Sequence, residues 1–270
     1  VGEFDFDDPG SSFHRLLTLQ HPDLLAPRLD RTAGPAPNIK TLSEQIPHGT
    51  TVLALQHKDG VIIAGDRRAT EGYSISERRI QKVHKTDATS AIAIAGAAGP
   101  CLDLIRLFQV ELEHYEKLEG AELSMDGKAN KLAQMVKANL PMAMQGLVVI
   151  PIFVGYDLAQ KKGRIFKYDI AGGQYEETEY YAIGSGGKDA RGTMKKIFSP
   201  DLTKDKAIRV ALEALYDAAE ADVGTGGPDL IRGIYPNVKV ITEKGVEDIA
   251  DEVIATAYQK IIPKPSQGGN

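Results

Sequence analysis

A single cysteine, Cys101, occurs in the 270 residues. One thiol closes no internal disulfide, so the fold does not depend on an oxidising compartment. No histidine stands in an informative position near Cys101, which reads as a small buried helix residue rather than a nucleophile. No run approaches the roughly 20 apolar residues of a membrane span. The opening VGEFDFDDPGSSFHRLL lacks a basic start leading into an apolar stretch, so it is not a secretory signal, and a cytoplasmic protein is expected. A basic excess is also missing: 32 Lys and Arg face 37 Asp and Glu, a net charge of −5. That argues against a broad nucleic-acid surface. What is present is ordinary for a soluble globular protein, 42% apolar and 26% charged residues.

Composition shifts near residue 49. Residues 1–49 hold 6 of the 14 prolines, with 7 acidic and 4 basic side chains. Within this leader Ser12–Leu25 has a short helical pattern on Phe13, Leu16, Leu17 and Leu24, and residues 26–40 read as an extended linker. A disordered tail, a docking arm and a removable propeptide all fit this composition. From Thr50 the text changes. TVLALQH and VIIAGDRR are strand-like around the Lys58-Asp59-Gly60 hairpin signal. Further strands are expected at 90–96, 148–156, 163–170, 177–183 and 237–242. Helices are expected at 100–118, 125–146 (kinked or bounded by Pro141), 204–221 and about 250–260. Hairpin-linked strands in two groups, with helices between and after them, predict two antiparallel sheets packed face to face with helices outside.

Chemistry-bearing residues gather around the composition boundary. In His48-Gly49-Thr50-Thr51 the glycine permits strained backbone. Attack of the Thr50 hydroxyl on the Gly49 carbonyl would turn the peptide bond into an ester, and hydrolysis would free the Thr50 amine. That amine, with an ordinary pKa of about 8, is a base near neutral pH. A strand starting after a linker accounts equally for Gly-Thr-Thr. If His57–Gly60 form the turn, Gln56 pairs with Val61 and Thr51 falls opposite Asp66, which alone reads as a strand-end carboxylate. In an extended segment Ile80, Lys82 and His84 share one face. Lys82 is either part of a solvated basic face or partly buried, and buried it needs an anion such as Asp66. Gly96 ends the 90–96 strand, where its N–H can face an oxyanion or serve a close-packed turn. IGSGGKDARG at 183–192 lacks the full phosphate-loop pattern and reads as a glycine-rich turn into a helix. Asp222 to Thr225 reads as a helix stop and loop.

Gly49-Thr50-Thr51, GDRRAT at 65–70, the Lys82 spacing and AIAGAAG together resemble proteasome β-subunits, over residues 48–260. LFQVELEHYEKLEG, MAMQGL and GGPDLIRGIYP look like the actinobacterial type. The resemblance implies an α+β fold, the four-layer α-β-β-α sandwich of N-terminal nucleophile hydrolases. It implies Thr50 as nucleophile after cleavage between Gly49 and Thr50, Asp66 and Lys82 as its charged partners and Gly96 as oxyanion donor. Ser185 would orient the amine. Asp222 and Thr225 match an Asp-x-x-Ser pair with threonine replacing serine. Thr70 would pair with the bound peptide, and Ala69, Ile80, His84, Ile94, Ala98 and Leu102 would line a mostly apolar specificity pocket.

By the same resemblance residues 1–49 are a propeptide and 50–270 the catalytic domain, a threonine endopeptidase acting on protein and peptide substrates. No cofactor, metal, nucleic acid or membrane is called for. Partners would be β-subunit copies in a seven-membered ring, α-subunit rings, and a ring ATPase acting on tagged substrates through the α-rings. A non-catalytic ring subunit, a simpler threonine peptidase of the HslV type and a nucleotide-binding module are the alternatives weighed. The presence of Thr50, Asp66, Lys82 and Gly96 together favours the active peptidase.

Overall fold

The computed structural model describes residues 49–71 and 74–262. The expected helix at Ser12–Leu25, the linker at 26–40, the remainder of the leader through His48, and the tail from residue 263 lie outside them.

Strands β1 (Thr51–His57) and β2 (Gly60–Gly65) form the expected hairpin, with Gln56 opposite Val61 and Val52 opposite Gly65. A separate ribbon joins β3 (Ala69–Glu71) to β4 (Ser74–Glu77). Strands β5 (Val83–Lys85), β6 (Ser90–Gly96), β7 (Val149–Asp157), β8 (Lys162–Tyr168) and β9 (Gln174–Glu177) make one antiparallel sheet in that order. Strands β10 (Tyr180–Gly184), β11 (Asn237–Thr242) and β12 (Gly245–Asp248) complete the other, ordered β10-β1-β2-β11-β12. The helices are α1 (Ala98–Glu119), α2 (Met125–Ala138), the single turn α3 (Leu140–Ala143), α4 (Gly187–Ile197), α5 (Lys204–Ala221) and α6 (Asp251–Ile261).

Three buried clusters define four layers. Strand side chains alternate between faces. Leu53, Leu55, Ile62 and Val240 therefore pack on the α5 and α6 residues Leu212, Leu215 and Tyr258. Val52, Ala54, Val61 and Ile63 face Ala91, Ala93, Ala95 and Ile152 of the second sheet. Ile92, Phe153 and Phe166 on that sheet's other side meet Phe108 of α1 and Leu132 of α2. Both faces of each sheet are covered, which is why these antiparallel strands read as near-continuous apolar runs.

The expected boundary at Pro141 is found, and one expectation is corrected. The helix expected over 125–146 ends at Ala138, and Leu140–Ala143 is a separate turn. Pro141 has no N–H to give the Lys137 carbonyl, so the ladder stops. The strand expected at 177–183 is two strands: β9 ends at Glu177 in one sheet and β10 starts at Tyr180 in the other. Alternation of side chains continues across such a crossing and does not reveal it.

Phe153 is fully buried and meets Phe108 edge-on at 5.5 Å and Phe166 at 6.2 Å between ring centroids. Phe153→Ala should cost about 3–5 kcal/mol, read as a lowered midpoint in denaturant unfolding. A cost below about 1 kcal/mol would contradict this core.

Candidate active site

Thr50 immediately precedes β1, and the hairpin brings Asp66 back beside it. The Asp66 amide donates to the Thr51 carbonyl at 3.1 Å, and the Thr51 amide donates to Asp66 Oδ1 at 2.8 Å. Asp66 is wholly buried; its Oδ2 accepts the amides of Arg68 (2.9 Å) and Gly226 (2.8 Å). Lys82 lies just before β5 and is 5% exposed. Its Nζ donates to Asp66 Oδ1 (2.7 Å), the Arg68 carbonyl (2.5 Å) and the Gly49 carbonyl (2.9 Å). Three acceptors match the three protons of an ammonium. Burial lowers the Lys82 pKa below the ordinary lysine value, partly offset by Asp66.

The Gly49 carbonyl oxygen has a second donor, the Thr50 hydroxyl at 2.7 Å. Gly49 has φ +99°, and a Cβ there would stand 2.6 Å from Thr70 Oγ1 and 2.8 Å from the Gly224 carbonyl oxygen. Glycine is therefore demanded twice, by backbone conformation and by space. Thr70 sits beside the bond linking residues 49 and 50.

A second group closes on Thr50 from the loops after β10 and α5. The Ser185 amide donates to the Thr50 carbonyl at 2.9 Å, and its hydroxyl to Asp222 Oδ2 at 2.5 Å. The Thr225 hydroxyl donates to the same Oδ2 at 2.5 Å, and the Gly224 amide to Oδ1 at 3.2 Å. Burial alone would raise the Asp222 pKa, but the hydroxyls of Ser185 and Thr225, the Gly224 amide and the Lys82 charge outweigh it and hold Asp222 below the ordinary carboxylate value.

A shallow hollow opens beside Thr50, lined by Ala69, Ile80, His84, Ile94, Gly96, Ala98 and Leu102. Gln81, Cys101 and Ile105 also line it, and sequence reasoning missed their place there. Their helical or extended spacing marks a shared face, but not which face borders a cavity. Burial lowers the His84 pKa, so its ring is neutral at physiological pH, and it meets the Gln81 carbonyl at 3.0 Å. Gly96 has φ +136°, and a Cβ there would collide with the Val148 carbonyl, so close packing alone already requires glycine. Thr51 was placed opposite Asp66, but the part its hydroxyl plays in this network was missed; nothing in a Thr-Thr pair distinguishes the second side chain.

Two sheets face to face between helical layers, with a threonine entering the first strand beside a buried lysine–aspartate pair, define the class of N-terminal nucleophile hydrolases. The chain belongs to the proteasome subunit family, and within it to the β-subunits: the family profile, described as proteasome subunit, matches residues 46–230. It is 51% identical to the proteasome subunit beta of Acidothermus cellulolyticus over 262 residues, 95% of this chain and 88% of the relative. Against the proteasome subunit beta of Acidimicrobium ferrooxidans it is 53% identical, over 90% of this chain and 86% of the relative. Against that of Frankia casuarinae it is 52% identical, over 95% and 92%. The family is one of peptidases, and its subunits assemble into a multi-subunit core. Among the described residues no helix is long and apolar enough to cross a membrane.

Burial pushes the Cys101 thiol up to about 12. At pH 8 the thiolate is then roughly one molecule in ten thousand. Iodoacetamide should leave the folded protein unlabelled and label it once in denaturant, as read by intact mass. Rapid labelling of the folded form would contradict the burial.

Proposed function

We propose that the chain is a threonine-type endopeptidase precursor that cuts itself between Gly49 and Thr50 and then hydrolyses peptide bonds with the exposed Thr50. The observation that carries this reading is the double hold on one carbonyl oxygen. Thr50 Oγ1 and Lys82 Nζ both donate to Gly49 O, at 2.7 and 2.9 Å. In self-cleavage the Thr50 oxygen bonds to the Gly49 carbon and the negative charge developing on its oxygen falls to the Lys82 ammonium. The carbon–nitrogen bond breaks as the hydroxyl proton moves to the Thr50 nitrogen. Water then hydrolyses the ester, leaving a Gly49 carboxylate and a free Thr50 amine. In peptide hydrolysis that amine takes the hydroxyl proton and the oxygen bonds to the substrate carbonyl carbon; the peptide C–N bond breaks as the proton passes to the departing nitrogen, and water then hydrolyses the ester to release the acid product and restore Thr50. Lys82 stabilises the oxygen's developing charge, Asp66 keeps Lys82 placed and charged, and the Gly96 amide faces the substrate oxyanion. Ser185, Asp222 and Thr225 hold the amine, Thr70 pairs with the peptide backbone, and the apolar hollow takes the side chain before the cut.

Residues 1–49 are on this reading a propeptide that keeps the nitrogen an amide and the chain a zymogen. The β-subunit names of the relatives support assembly with other subunits into a multi-subunit core, and the reading extends this to seven-membered β rings stacked on α rings, working with a ring ATPase in the cytoplasm. Substrates are unfolded or tagged proteins.

Intact mass after assembly should give a chain of residues 50–270. Thr50→Ala should retain residues 1–49 and hydrolyse peptides at least a thousandfold more slowly; wild-type turnover in that variant would end the reading. Lys82→Met should assemble, because Asp66 keeps three backbone N–H donors, yet retain its leader. The lowered Lys82 pKa also sets a sign for pH. The ammonium is lost as pH rises, so the rate of leader loss should fall at alkaline pH, starting below the ordinary lysine value of 10.5. A rate that climbs steadily through that range would refute the ammonium's part.

A further inference from the structure

Thr51 has no part in the reaction above, yet its side chain is fully buried within the network. Its Oγ1 accepts the Gly186 amide hydrogen at 3.0 Å and lies 2.7 Å from Thr225 Oγ1. Distance alone does not say which hydroxyl donates in the second contact. Proton counting does. Asp222 is ionised, so it only accepts, and the Ser185 and Thr225 hydroxyls both donate to its Oδ2 at 2.5 Å. A hydroxyl has one hydrogen. That of Thr225 is committed to Asp222, so the Thr225 oxygen accepts from Thr51. The bonds run one way, from the Gly186 amide through Thr51 and Thr225 to Asp222.

We propose that Thr51 is a positioning residue whose hydroxyl fixes the direction of this chain of bonds and so sets how much negative charge Asp222 presents to the freed amine of Thr50. The inference rests on the proposed function, since it concerns the amine released there. The loop bearing Asp222 packs against that amine's position. A Cβ on Gly224 would stand 3.0 Å from the Gly49 Cα and 2.9 Å from Ser185 Oγ. Hydrogen bonds in a chain polarise one another. With Thr51 donating, Thr225 donates more strongly to Asp222 and draws off part of its charge. A weaker charge binds an ammonium less tightly, so the Thr50 amine is neutral, and a base, at lower pH. The other charges facing this loop are Lys82, Asp66 and Arg68, whose Nη1 donates to the Val223 carbonyl at 3.1 Å. A change at the Thr51 hydroxyl leaves all three in place.

Thr51→Val keeps the branched shape and removes the hydroxyl. The assay uses the assembled particle, made from a fusion whose cleavage leaves Thr50 first in the chain. The readout is the pH profile of kcat/KM for a peptide with an apolar side chain before the cut. In Thr51→Val the acid limb should move up by about one pH unit, a roughly tenfold loss on that limb, with nearly full activity on the alkaline plateau. Thr51→Ser should restore the wild-type limb. Thr51→Ala, which removes the same hydroxyl with a smaller side chain, should move the limb the same way, and it serves as the test if Thr51→Val fails to assemble. An unchanged profile, or a uniform loss with the limb unmoved, would overturn the proposal by reducing Thr51 to packing. Thr50→Ala made from the same fusion separates the two readings: activity there removes the nucleophile, whereas an unmoved limb with an inactive Thr50→Ala removes only Thr51.

Discussion

Asp66 is a fully buried carboxylate, tolerable in that position because its two oxygens accept four hydrogen bonds, one of them from a buried ammonium. Those four donors come from separate parts of the chain. Thr51 belongs to β1, Arg68 follows β2, Lys82 precedes β5 and Gly226 follows α5. One side chain therefore gathers the start of the first strand, the lysine segment and the Asp222 loop around a single point. Remove that charge and Lys82 keeps only two carbonyls as acceptors, while the amides of Arg68 and Gly226 lose theirs. Folding of the site and its electrostatics are thus the same event, since the groups that desolvate Asp66 are those that place Thr50.

The sandwich supplies the rigidity that such a convergence needs. Ala91, Ala93 and Ala95 on β6 present small side chains to Val52, Ala54 and Ile63, letting the sheets approach closely. The strand ends that carry Thr50, Asp66, Gly96 and Ser185 are then held by two packed sheets rather than by loops. The Asp222 loop does not extend a strand, though Thr225 meets Thr51 of β1. It is fixed instead by its hydrogen bonds to Asp66 and Ser185, and by packing of Gly224 on Gly49.

What was legible in the sequence follows from which forces are local. The turn at Lys58-Asp59-Gly60 sets the β1–β2 register, so the meeting of Thr51 with Asp66 could be counted out residue by residue. SAIAIAG matches β6 residue for residue, because an apolar run bounded by turns has one reading. The layered fold followed from strand order. The crossing between Glu177 and Tyr180 and the short ribbon β3–β4 are tertiary outcomes, whereas the break after Ala138 is marked in the sequence by Pro141. Periodicity carries no trace of which sheet a strand joins. The linkage of Lys82 to Asp66 depended on a lysine needing an anion, which is a physical argument but not a local one, and the resemblance to a family singled it out among many lysines. The Thr51 hydroxyl escaped both routes. A buried threonine in a strand is ordinary, and only the positions of Thr225 and Gly186 show that its hydroxyl is occupied.

The precursor geometry also explains how self-cleavage would complete the site. Before the cut, the Gly49 carbonyl oxygen is the shared acceptor of the Thr50 hydroxyl and the Lys82 ammonium. Were Gly49 to depart as proposed, both donors would lose their partner at once, and Lys82 is too buried for water to replace it freely. Both lie within hydrogen-bond reach of that one oxygen, so its removal would leave two donors facing the space it occupied. A contact between them would serve a nucleophilic threonine, because a cation at the oxygen favours its charged form. On the proposed reaction, the oxygen that engages both groups before the cut is the one whose removal would free them for each other.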